Sequence, residues 1–137
     1  MRRAAKCLDI LESLPYVDKE RLCAYGNSMG AFLTVALAAQ YPERLKAIAI
    51  TAGGVSLGLA TAEQCEKIKA PAIIFHGSAD GTVPPDRSEQ LQTILDKNGV
   101  PNERIVFDGI GHNAHADKAD EVYAAMREWF QKNGVLR

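Results

Sequence analysis

Apolar residues recur at spacings of three and four through Ala4, Cys7, Leu8, Leu11 and Leu14, the pattern of one face of an amphipathic helix, which Pro15 ends. A polar turn at Val17–Glu20 follows. Leu22–Tyr25 is then a short apolar run stopping at Gly26, which suits a buried strand. Helical spacing resumes over Ser28–Tyr41 through Ala31, Phe32, Val35, Ala38 and Ala39, until Pro42 forbids continuation. Lys46–Thr51 reads as a second strand. The segment from Gly54 to Pro71 carries one weak helix over Thr61–Ile68, and leaves no room for a sizeable cap. Pro71–His76 is the strongest strand signal in the chain. The turn-rich stretch Gly77–Pro85 leads into a helix with Leu91, Ile94 and Leu95 on one face, ended by Asn98 and Gly99. Arg104–Phe107 is a fourth strand and Asp108–Ala116 a loop. Asp117 is placed to cap a last helix bearing Val122, Ala125, Met126, Trp129 and Phe130.

Strands joined by helical crossovers run parallel, and right-handed crossovers put helices on both faces of one sheet. The expected class is therefore α/β, a doubly wound, mostly parallel sheet of about four strands forming a single domain over residues 1–137. In such sheets ligands bind beyond the C-terminal ends of the strands. Three loops meet there: Gly26–Gly30, Gly77–Pro85 and Asp108–Ala116.

Composition narrows the function classes. The 137 residues are 47% hydrophobic and 24% charged, as in a folded globular chain. Sixteen Lys and Arg balance 17 Asp and Glu, a net charge of -1, so no basic footprint suggests nucleic acid or an anionic membrane as partner. Asp9 and Glu12 interrupt the N-terminal apolar run where an export signal needs continuity, and AFLTVALAAQY is about half the length of a membrane span. Cys7, Cys23 and Cys65 show no CxxC spacing, which fits reduced thiols and a cytoplasmic location. Cys23, inside a strand, reads as an inert buried thiol, and the methionines and Trp129 read as core.

The chemistry gathers in the three loops. Gly26-Asn27-Ser28-Met29-Gly30 is a G-x-S-x-G sequence between a strand and a helix, the context in which a serine is exposed as a nucleophile. The reading gives both glycines the same task, to let strand and helix pass without side chains between them. The Met29 N–H then faces the same way as Ser28, one preorganised donor for a developing oxyanion at the positive end of the helix dipole. An ordinary βα turn with Gly for tightness and Ser as helix cap would use the same residues. A serine hydroxyl needs a base, and a histidine base needs a carboxylate to fix its tautomer. Asp80 in HGSADGTVP and His112 in GIGHNAH lie in the other two loops, in the order Ser, Asp, His.

The segments GNSMG, HGSADGTVPPDRSEQL and GIGHNAHADKADEVYAAMREWF resemble the α/β-hydrolase superfamily, particularly its dienelactone-hydrolase-like and acyl-peptidase-like esterase branches. The resemblance implies Ser28 as nucleophile, Asp80 as acid, His112 as base and Met29 as one oxyanion donor. It covers nearly the whole chain but only the C-terminal half of a usual member, so the second oxyanion donor falls in the half that has no counterpart here.

Other residues could take parts of this chemistry. His115 could replace His112 as base, and Asp108 could replace Asp80 as acid. His76 at a strand end reads as a hydrogen-bonded structural residue. His76, His112, His115 and Asp117 are apt metal ligands without compact ligand spacing. Asp86 and Glu89 open a helix where their charge suits its dipole. The expected function is hydrolysis of small carboxylic esters through an acyl-enzyme, without cofactor or metal. The alternative is a non-catalytic or partner-dependent half-domain serving as an interaction module. With Leu22–Tyr25 at a sheet edge and flanking helix faces uncovered, a homodimer through that edge is expected.

Overall fold

The computed structural model describes residues 2–56 and 58–137. The chain runs α1 (Arg2–Ser13), β1 (Cys23–Asn27), α2 (Met29–Gln40), β2 (Ala47–Thr51), α3 (Ala62–Cys65), β3 (Ala72–Gly77), α4 (Asp86–Lys97), β4 (Asn102–Phe107), α5 (Ala114–Asp117) and α6 (Ala119–Lys132), with a 3-10 turn at Lys19–Arg21 before β1. The four strands form one parallel sheet in the order β1-β2-β3-β4. Helices cover both faces, as an α/β sheet requires.

Each face of the sheet has its own core. On one side Ile48, Ile50 and Ile74 meet Val35 of α2 and Leu91 and Leu95 of α4, with Leu8 of α1 in the same cluster. On the other, Ala47, Ala49, Ile73 and Phe75 meet Val122, Trp129 and Phe130 of α6. The central strands β2 and β3 are buried along their whole length, which is why they read as continuous apolar runs rather than alternating ones. Burying one Ile in such a place contributes roughly 1.5–3 kcal/mol. Arg44 ties α1 down from outside, donating to Glu12 at 2.9 and 2.8 Å and to Asp9 at 3.0 Å.

Several local expectations change. β1 continues through Gly26 to Asn27, because both still pair with β2, Gly26 opposite Ile50 and Asn27 opposite Thr51. β4 starts at Asn102, paired with Ala72. The loop after β4 contains α5, whose turn closes when the Ala116 and Asp117 N–H groups donate to the Asn113 carbonyl. Asp117 therefore lies inside a helix and does not cap the last one; Lys118 occupies that position without a side-chain cap. The helix around residues 61–68 is a single turn, started by a capping box in which Thr61 and Gln64 exchange hydrogen bonds. Cys23 is exposed, because β1 has a neighbour on one side only; the buried thiol is Cys65, which burial pushes up to about 12. Met29 is 66% exposed and Met126 half-buried against the α6 core, so Met29 is not a core residue; Met1 lies outside the described residues.

Among the described residues no helix is long and apolar enough to cross a membrane.

Candidate active site

The turn from β1 into α2 is sharp and strained. Ser28 has φ 53 and ψ -117, outside the conformations a non-glycine residue takes without cost, and such a residue stores roughly 1–3 kcal/mol. Its surroundings hold it there: its N–H donates to the Thr51 carbonyl at 2.9 Å, and its carbonyl accepts from Ala31 and Phe32 at 3.0 and 3.2 Å. A Cβ on Gly26 would stand 2.1 Å from the Gly30 carbonyl oxygen, so glycine is required where strand and helix cross. Gly30 carries no such demand, because nothing lies within 4 Å of the space its Cβ would fill.

Ser28 does not cap α2 with its side chain. The hydroxyl instead points to His112, whose Nε2 lies 2.8 Å away. On the far side of the ring, His112 Nδ1 lies 2.9 Å from Asp80 Oδ2 and 3.1 Å from Oδ1. The protons follow from the acceptors: a carboxylate only accepts, so Nδ1 donates, and Nε2 is left to accept from the serine hydroxyl.

Asp80 is held from both oxygens. Oδ1 accepts from the Thr82 and Val83 N–H groups, both at 2.9 Å, while Oδ2 faces His112. Burial on its own would raise this carboxyl; the Val83 N–H, His112 and the Thr82 N–H outweigh it and hold Asp80 below the ordinary 3.8. Residue types alone do not announce the Thr82 and Val83 donors. The available signal is the sequence Asp-Gly-Thr-Val, an Asp whose side chain can accept from the backbone two residues on.

The loop after β4 reaches Asp80 because two backbones meet at the end of β3. Ala79 donates to the Ile110 carbonyl at 2.9 Å and Ser78 to the Phe107 carbonyl at 2.9 Å. A Cβ on Gly77 would stand 2.1 Å from the Ile110 carbonyl oxygen, so this approach also depends on glycine.

The other candidates are not links of the Ser28–His112–Asp80 array. Asp108 accepts from the Ser78 hydroxyl, which accepts from the Gly109 N–H, and so serves its own loop. His115 sits on α5 with its Nδ1 buried and, among the described residues, without a partner. His76 is fully buried, with Nε2 2.9 Å from the Val83 carbonyl oxygen. Among the described residues no three His, Cys, Asp or Glu side chains converge as metal ligands, so His76, His112, His115 and Asp117 form no such group. Met29 opens α2, and among the described residues its N–H donates to no backbone acceptor. An open cleft of about 340 Å³ is bounded by Phe32 of α2, Val55 after β2, Thr82 and Val83 of the Asp80 loop, and Arg87.

Comparison with known proteins places the chain by family and fold. The chain is 27% identical over 121 residues to an acyl-protein thioesterase 1 of Eremothecium gossypii, covering 86% of this chain and 50% of that protein. It is 29% identical over 108 residues to a probable carboxylesterase of Oryza sativa subsp. japonica, covering 77% of this chain and 44% of the relative. The chain thus spans about half the length of the curated relatives it matches. A solved α/β hydrolase from the metagenome of lagoon sediments at Mar Chica, Morocco, superposes with a TM-score of 0.78 at 19% identity, over 97% of this chain and 68% of that one, a likeness of fold. The model of the dienelactone hydrolase family matches residues 1–134, and with the α/β sheet and its loops in place the chain belongs to that family.

Proposed function

We propose that the chain is a serine hydrolase of small carboxylic esters, working through an acyl-enzyme on Ser28. The observation that carries this reading is the continuous array from Ser28 Oγ through His112 to Asp80, with links of 2.8 and 2.9 Å. As Ser28 Oγ attacks the ester carbonyl carbon, its proton passes to His112 Nε2 and the carbonyl π electrons move onto oxygen. The Met29 N–H is one donor for that oxyanion. When the C–O bond breaks, His112 gives its proton to the leaving alkoxide. Water then attacks the acyl carbon, its proton goes to His112, and the proton returns to Ser28 Oγ as the acid departs. Asp80 keeps its charge throughout and holds the imidazole in the tautomer this cycle needs. Short acyl esters are the proposed substrates, and the thioesterase named among the relatives makes thioesters a natural second substrate class.

A second reading is favoured by two observations. The chain spans 50% and 44% of its two curated relatives, and among the described residues β1 has no neighbour on its outer side. Under this reading it is a partner-dependent half-domain that hydrolyses nothing alone. The discriminating experiment is hydrolysis of p-nitrophenyl butyrate and acetyl thiocholine by the chain, by Ser28→Ala, His112→Ala and His115→Ala. The serine-hydrolase reading expects turnover lost in the first two variants and kept in the third. Absence of turnover in the parent chain, restored by an added partner, supports the second reading.

A further inference from the structure

His76 is one of the few polar side chains with no solvent exposure, and the reaction does not use it directly. Its ring lies at the end of β3, four residues before Asp80. Nε2 is 2.9 Å from the Val83 carbonyl oxygen and 3.3 Å from Asp80 Oδ2, the oxygen that His112 Nδ1 binds at 2.9 Å. Both neighbours of Nε2 are oxygens that only accept, so the ring proton belongs on Nε2. Nδ1 is buried and, among the described residues, has no partner, so a proton there would be an unsatisfied buried donor.

Two consequences follow for Asp80. The Val83 backbone is held on both sides of its Cα: its N–H donates to Asp80 Oδ1 at 2.9 Å, and its carbonyl, in the next peptide unit, accepts from His76. The same ring edge brings the positive end of an N–H dipole beside Oδ2. Loss of the imidazole releases the Val83 carbonyl, so the segment that presents the Val83 N–H to Asp80 is held on one side only, and it leaves Oδ2 with one fewer favourable neighbour in a buried site. The carboxylate is then free to turn, and the His112 ring with it.

We infer that His76 is a positioning residue for the Ser28–His112–Asp80 array, holding Asp80 through the backbone on either side of the Val83 Cα and through the His76 Nε2–H edge. The inference rests on the proposed hydrolase reading for its kinetic effect, but its structural content does not. It also gives the HGSAD sequence a division of labour: His76 sets the loop, Gly77 admits the Ile110 backbone, and Asp80 orients the histidine.

The test has one arm without kinetics. Long-range ¹H–¹⁵N spectra of the unsubstituted chain should show His76 as the Nε2–H tautomer; the Nδ1–H tautomer overturns the proposal, because Nε2 would then be an acceptor facing two acceptors. The second arm compares His76→Phe, which keeps a ring without the donor, with His76→Gln, whose amide N–H can reach the Val83 carbonyl. In His76→Phe, kcat for p-nitrophenyl butyrate should fall about 10- to 100-fold, the usual cost of losing an orienting outer partner, with KM little changed. The downfield proton resonance of His112 Nδ1–H should broaden in this variant. His76→Gln should recover most of kcat and that resonance. A folded His76→Phe with parental kcat and an unaltered His112 resonance overturns the proposal. If His76→Phe does not fold, the tautomer and His76→Gln still decide it: a folded Gln variant that loses activity as deeply as His112→Ala contradicts the rescue. Failure of the hydrolase reading is recognised separately, by turnover that persists in Ser28→Ala.

Discussion

Replacing Gly26 with alanine drives a methyl group into the first turn of α2. The new Cβ would stand 2.1 Å from the Gly30 carbonyl oxygen, 2.2 Å from its carbonyl carbon and 2.7 Å from the Ala31 nitrogen. Carbon contacts relax near 3.5 Å, so strand and helix must part by about 1 Å or more. Every atom in the way is backbone, and no side chain can swing aside. Overpacking costs roughly 1–3 kcal/mol, and backbone obstruction places this variant at the upper end. For a chain of this length that is a fall in Tm of about 10 °C. The effect on turnover is larger, because the same junction carries Ser28 and a displacement of about 1 Å costs on the order of 10²-fold in rate. Gly30→Ala is the internal control. Its Cβ meets nothing within 4 Å, and Gly to Ala in a helix raises stability by about 0.5–1 kcal/mol. Thermal melts by circular dichroism, with p-nitrophenyl butyrate hydrolysis, measure both variants. A Gly26→Ala chain with parental Tm and kcat/KM, or a Gly30→Ala chain that is the worse of the two, refutes the reasoning.

Three further outcomes are expected. Asp80→Asn should lower kcat by about 10⁴-fold by leaving His112 in the wrong tautomer, whereas Asp108→Asn, whose carboxylate accepts from the Ser78 hydroxyl, should not; pre-steady-state kinetics on both variants checks this. Because folding holds the Asp80 carboxyl below its ordinary 3.8, its contribution to stability is fully present above that pH and is lost as pH falls through the lower folded value. Melting curves from pH 6 to pH 2 should therefore steepen below about pH 4 in the parent chain and less so in Asp80→Asn. Self-association through the open edge of β1 is the third: sedimentation velocity at micromolar concentration should show a dimer, and a stable, fully active monomer contradicts it.

The site was legible in the sequence to the extent that it depends on backbone punctuation. Glycine on either side of Ser28, the turn residues around Asp80 and the GxGH before the last helix mark where the chain must bend at strand ends. The structure brings those three bends together at the C-terminal edge of the sheet. What escaped depended on neighbours. Periodicity could not reveal that Cys23 and Met29 are exposed, because that follows from β1 being an edge strand and Met29 facing outward at the first turn of α2. Nor could it show that α5 forms, since four residues cannot display a helical repeat and the turn is closed by the Asn113 carbonyl. Gly26 and Gly30 look equivalent as letters. Only the path of α2 makes one indispensable and the other free.

The central claim is that Ser28 is the residue acylated. Stopped-flow mixing of the chain with p-nitrophenyl acetate, followed by acid quench and intact-mass spectrometry, tests it most directly. The account predicts a burst of p-nitrophenol approaching one per chain, a single acetyl adduct located to Ser28 by peptide mapping, and loss of both in Ser28→Ala. A burst and adduct that survive in Ser28→Ala, or an adduct mapped to Cys23, His112 or any other residue, would contradict it.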